Sequence, residues 1–107
     1  MKEVCNLTIH FNNYAEKIGI KNNLQWYRWK VFVDEPLEVL NTIKNVQYLL
    51  HKTFPNPVRI SEDRNSKFAL ESSGWGSFKM YITVRFENGT EKEFEYYLDL
   101  TKRRPGR

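Results

Sequence analysis

The segment from Phe78 to Leu100 constrains the fold more than any other part of the chain. Phe78, Met80, Ile82, Val84 and Phe86 alternate with Lys79, Tyr81, Thr83 and Arg85, and Phe94, Tyr96, Leu98 and Leu100 alternate with Glu93, Glu95, Tyr97 and Asp99. A period of two sends successive side chains to opposite faces, so each run is an amphipathic strand. Between them lies Glu87-Asn88-Gly89-Thr90. Asn-Gly supplies the two positive-φ positions of a tight hairpin, which makes the strands antiparallel neighbours.

The same alternation recurs earlier. Cys5, Leu7, Ile9 and Phe11 alternate with Asn6, Thr8 and His10, and Trp29, Val31 and Val33 alternate with Arg28, Lys30 and the less regular Phe32. Trp29 heads its strand and reads as core. Ile43 to Leu50 fits both periods: Ile43, Val46, Leu49 and Leu50 have helical spacing, whereas Val46, Tyr48 and Leu50 have strand spacing. Strand is favoured, because Val46 and Tyr48 are strand formers and Phe54-Pro55-Asn56-Pro57 breaks any helix soon afterwards. Pro36 to Asn41 reads as a turn or short helical piece, Asn12 to Asn23 as a polar connection with one short strand at Tyr14 to Ile18, and Ser61 to Ser66 as a surface loop. A further short strand starts at Phe68 to Leu70. Seven to eight short strands with regular turn signals predict an all-β fold, an immunoglobulin-like antiparallel β-sandwich.

A chain of 107 residues is one domain, predicted over residues 1–101, with 102–107 as a basic tail or linker. The net charge is +4, but Lys102, Arg103, Arg104 and Arg107 all lie in that tail. The body is therefore close to neutral, which disfavours nucleic acid as a partner. Cys5 is the single cysteine, so no internal disulfide and no paired Cys/His zinc site is expected. With no membrane-length apolar run and no apolar leader segment, the expectation is a soluble, non-secreted, cytoplasmic protein without a cofactor.

Enzymatic chemistry needs placed nucleophiles, acid/base pairs or metal ligands. His10 and His51 have no recognisable partners in sequence, and Gly74 and Gly76 lack the Lys and helix of a phosphate-binding loop. No catalytic residue is predicted. Two segments stand out instead, Leu50-His51-Lys52-Thr53-Phe54-Pro55-Asn56-Pro57 and Ser73-Gly74-Trp75-Gly76-Ser77-Phe78. Each sets an aromatic beside small or polar residues at a strand end, where the loops of a sandwich cluster. From the residues alone, Phe54 is a plug for the sandwich end or a ligand wall, Trp75 a packed anchor or a displayed ring, and His51 most simply a structural histidine.

These segments, with Trp29-Lys30-Val31-Phe32-Val33 before them and Tyr97-Leu98-Asp99-Leu100 after, resemble the YEATS domains, immunoglobulin-fold readers of acylated lysine. The resemblance runs from Trp29 to Leu100 and is closest to the prokaryotic branch. It implies that Phe54 and Trp75 sandwich a planar acyl amide and that the Trp75 backbone N–H meets the acyl carbonyl. Gly74 and Gly76 would allow close main-chain approach, and His51 and Thr53, on one side of an extended segment, would hold the lysine N–H or a bridging water. Thr53 stands where the eukaryotic branch usually has Ser. Trp26 is the candidate for the family's additional pocket aromatic. An acylated-lysine peptide or protein is the implied partner, of acetyl or crotonyl type, within a protein that carries other domains. The alternative is a protein-interaction domain that keeps the fold without binding acyl-lysine.

Overall fold

The structure is a computed structural model that describes residues 8–103. Seven strands form two antiparallel sheets: β1 (Phe11–Lys21), β2 (Leu24–Val33) and β5 (Leu70–Gly74) in the order β1-β2-β5, and β4 (Val58–Ser61), β3 (Ile43–Leu49), β6 (Lys79–Phe86) and β7 (Glu91–Tyr97) in the order β4-β3-β6-β7. One helical turn, α1 (Leu37–Leu40), precedes β3. The expected all-β sandwich is present. Its core lies between the sheets, where Trp29, Val31 and Val33 of β2 meet Val46 and Tyr48 of β3 and Met80, Ile82 and Val84 of β6, all essentially inaccessible to solvent.

Ile43–Leu49 is a strand, and its mixed spacing has a local cause. The register with β6 shifts between Ile43 and Asn45. An extra residue there turns both Ile43 and Val46 inward, so a β-bulge imitates a helical interval of three. The Tyr48 hydroxyl donates to the Phe68 carbonyl at 2.5 Å, and burial pushes its acidity well below that of an ordinary phenol. This bond anchors Lys67 and Phe68, which both hold left-handed backbone, φ 64° and 57°.

Three expectations need correction. Asn12 to Asn23 is not a connection with a short strand at Tyr14 to Ile18. It forms nearly all of the longest strand, β1, whose apolar signal is lost because Ile18 and Ile20 are exposed and Asn13 is buried. No strand was expected at Val58–Ser61, because β4 is an edge whose apolar residues, Val58 and Ile60, face outward. The Asn88-Gly89 hairpin does join β6 to β7, but only Gly89 has positive φ, at 90°. Phe86 donates to Thr90 O at 2.9 Å and Gly89 to Phe86 O at 3.0 Å, the bonding of a longer loop that closes on a glycine bulge. The turn with two positive-φ residues is Asn22-Asn23, φ 54° and 66°, between paired Lys21 and Leu24.

The predicted strand at Cys5–Phe11 lies partly outside the described residues. Within them, Ile9 is buried, His10 bonds Glu35 at 2.7 Å through Nδ1, and Phe11 opens β1. At the other end, the Ala15 N–H donates to Lys102 O at 2.7 Å.

Candidate functional site

Three chain segments meet at one end of the sandwich. The start of β2 brings Trp26, the β3–β4 loop brings His51, Thr53, Phe54 and Pro55, and the end of β5 with the loop that follows brings Ser73 through Phe78. Together they line a cavity of about 470 Å³, within the usual range for small-ligand sites. All seven residues singled out in the sequence, Trp26, His51, Thr53, Phe54, Gly74, Trp75 and Gly76, are in its wall. The loop between β3 and β4 is pinned by its own hydrogen bonds: Arg59 donates from Nε to Asn56 O at 2.6 Å and from Nη2 to Pro55 O at 2.8 Å, and the Leu50 N–H donates to Pro57 O at 2.8 Å.

Phe54 and Trp75 are built differently. The Phe54 ring lies 5.2 Å from Phe78 and 6.2 Å, edge-on, from the buried Trp29, so one side of it belongs to the core. Trp75 is 56% exposed. Its backbone N–H has no hydrogen-bond partner among the described residues. One wall is thus fixed by packing, and the other is a projecting ring on a short bend beyond β5. Between them, a Cβ added at Gly74 would stand 3.6 Å from Phe54 Cζ, so the absence of a side chain there keeps the floor of the cavity against Phe54 low.

His51 and Thr53 are brought together by a turn and not by an extended segment, since the Phe54 N–H donates to His51 O at 3.0 Å. The Thr53 N–H donates to His51 Nδ1 at 3.2 Å, and Thr53 Oγ1 lies 3.0 Å from the same nitrogen. A backbone N–H donates only to a lone pair, which fixes Nδ1 as an acceptor and leaves the ring proton on Nε2. The Thr53 hydroxyl shares that contact, and whichever way its hydrogen points its oxygen keeps a lone pair able to accept.

Trp26 is half-buried, and its indole Nε1 is enclosed without a protein partner. Lys21 Nζ sits 5.5 Å from the ring centre. A second, smaller recess of about 170 Å³ lies along β1, β2 and β5, where Tyr14, Ala15 and Trp29 line it together with Glu16, Arg28, Lys30, Glu71 and Arg103, charged groups of both signs. Among the described residues no group of His, Cys, Asp and Glu could hold a metal ion, and no helix is long and apolar enough to cross a membrane.

A two-sheet antiparallel sandwich with an aromatic pocket in its end loops defines a β-sandwich binding domain. The chain belongs to the prokaryotic YEATS domain family, whose profile matches residues 27–99. It is 33% identical over 97 residues to the AF-9 homolog of Eremothecium gossypii, a match that spans 83% of this chain and 46% of that protein. The chain therefore spans less than half the length of this curated relative. Its fold is similar to the Yaf9 YEATS domain recognizing an H3K122suc peptide, with TM-score 0.69 and 29% identity over 90% of this chain and 79% of that one. It is likewise similar to the Yaf9 YEATS domain bound to H3K27ac, with TM-score 0.65 and 29% identity over 89% and 78% of the two chains.

Proposed function

We propose that this domain is a non-enzymatic reader of acylated lysine. The observation that carries the reading is the junction of Thr53 and His51 beside the two aromatic walls. It sets a hydroxyl oxygen with a lone pair to spare in the wall of a cavity that Trp75 also lines, and the Trp75 N–H has no hydrogen-bond partner among the described residues. An acyl-lysine amide has one N–H and one carbonyl, and needs both.

In this reading the acyl-lysine N–H donates to Thr53 Oγ1 and its carbonyl accepts from the Trp75 N–H. The amide plane lies between the Phe54 and Trp75 rings, gaining dispersion and π contact. Trp26 closes the far side. An unmodified lysine is rejected because its ammonium would leave water for a pocket with no carboxylate to receive it. The Yaf9 domains, whose solved structures hold acylated histone H3 peptides, support the class of ligand. The domain would serve in the cytoplasm as a recognition part of a larger protein.

Calorimetric titration with acetyl-lysine, crotonyl-lysine and unmodified peptides of one sequence tests this, with Trp75→Ala alongside. The acylated peptides should bind, the unmodified one should not, and the variant should lose binding. Equal binding or no binding of all three would leave a protein-interaction domain that shares the fold only.

A further inference from the structure

The charged residues next to the pocket-lining ones in sequence or contact are cations. No Asp or Glu lines the cavity, and the depletion extends far along each contributing segment: residues 18–33, 39–61 and 72–86 contain no carboxylate. They carry Lys21, Arg28, Lys30, Lys44, Lys52, Arg59, Lys79 and Arg85 instead. Lys52 is an exposed residue between the two lining residues His51 and Thr53. Lys21 stands over the Trp26 ring. Arg59 spends its donors on the carbonyls of Pro55 and Asn56, which orient the guanidinium without neutralising it.

Two carboxylates of neighbouring strands are already paired. Lys79 pairs with Glu95 at 3.3 Å and Arg28 with Glu16 at 3.1 Å. Lys21, Lys52 and Arg59 therefore remain as cations with no carboxylate partner among the described residues. Surface charges act within a Debye length, about 8–10 Å at moderate salt. Lys21 over the Trp26 ring and Lys52 between His51 and Thr53, with Arg59 bonded to the Pro55 carbonyl, thus sum to a positive field over the backbone of whatever enters the pocket.

We infer that the partner carries its acylated lysine within an acidic segment, with Asp or Glu in the residues flanking the modified side chain. This rests on the acyl-lysine reading of the pocket. A lysine-rich flank would bring like charge to Lys21 and Lys52, whereas an acidic flank gains attraction and a faster encounter. The pocket reads the acyl amide, and the rim reads the sequence context.

The test uses the whole chain and crotonyl-lysine peptides that differ only in having Glu, Ala or Lys on both sides of the modified residue. Each exposed charge pair changes affinity by roughly 1.5- to 5-fold, so Glu flanks should bind about tenfold more tightly than Lys flanks at low salt. The gap should shrink as salt rises, and the double variant Lys21→Glu, Lys52→Glu should reverse the order. Circular dichroism checks that the variant is folded, and the peptide comparison on the unaltered domain stands without it. Flank-independent binding, or preference for Lys flanks, would overturn this inference while leaving the acyl-lysine reading intact. A Glu-flanked peptide that binds equally well without its crotonyl group would remove the acyl-lysine reading and this inference together.

Discussion

Tyr96 donates its phenolic hydrogen to Asn13 Oδ1 at 2.5 Å, and so bolts β7 of one sheet to β1 of the other. Asn13 is fully buried. Its Oδ1 also accepts from the Asp99 N–H at 3.1 Å, and its Nδ2 donates to Asp99 O at 2.8 Å. One side-chain amide thereby satisfies a tyrosine and both backbone groups of the chain leaving β7.

Asn13→Ala should therefore destabilise the domain by about 3 kcal/mol, because it strands several polar groups in a site with little water. Tyr96→Phe should cost only about 1 kcal/mol, since Asn13 keeps Asp99. Urea unfolding midpoints distinguish the two. Equal costs would show that the amide does not hold the network.

Burial, with the nearby charges of Asp99 and Asp34, pushes the Tyr96 hydroxyl up to about 12. Its ordinary value is about 10. The folded state holds this proton more tightly than the unfolded chain, so the stabilisation is complete below about pH 10 and is lost as pH rises toward 12. Tyr48 acts in the same direction. Phenolate absorbance should show these two tyrosines titrating above the ordinary phenol range, and Tyr96→Phe should flatten the alkaline loss of stability.

Phe54 and Trp75 should separate stability from binding. Trp75→Ala removes a mostly exposed ring and should change stability by less than about 0.5 kcal/mol while abolishing acyl-peptide binding. Phe54→Ala strips contacts from Trp29 and Phe78 and should cost about 2 kcal/mol as well as binding. Thermal melts beside peptide titrations read both effects.

The two glycines beside Trp75 should not behave alike. A methyl at Gly74 meets Phe54 at 3.6 Å, ordinary contact distance, whereas one at Gly76 meets nothing within 4 Å, and neither residue has positive φ. Both alanine variants should fold. Gly74→Ala should weaken acyl-peptide binding several-fold by raising the cavity floor, and Gly76→Ala should change it less; a reversed order in the titrations would place the ligand elsewhere.

The hairpins offer opposite outcomes. Gly89 has φ 90°, so Gly89→Ala should destabilise by about 1 kcal/mol. Asn23 already holds left-handed backbone in a two-residue turn, and Asn23→Gly should be neutral or stabilising by a few tenths of a kcal/mol. Denaturant midpoints check both.

Alternation in Phe78 to Leu100 and in Trp29 to Val33 was enough to make β2, β6 and β7 legible, because a buried face writes itself into sequence at a period of two. Where a strand buries polar residues or exposes apolar ones, that signal fails. Asn13 lies in the core while Ile18 and Ile20 are exposed, so β1 read as a connection, and Val58 and Ile60 point outward, so β4 went unread. The site residues were legible from their motif spelling, but their arrangement was not. Nothing local says that Thr53 and His51 meet through a turn, or that Phe54 leans on Trp29 while Trp75 projects.

The sequence by itself determined a two-layer β-fold and the identities of the pocket's aromatic and polar groups, since strand periodicity and side-chain chemistry are properties of adjacent residues. Only the tertiary structure decided that Trp26, the loop after β3 and the loop after β5 share one cavity. It also decided that Lys21 stands over the Trp26 ring and that Arg59 bonds the Pro55 carbonyl. Convergence depends on how the two sheets stack and where their end loops fall, and that is set by the burial of the whole core.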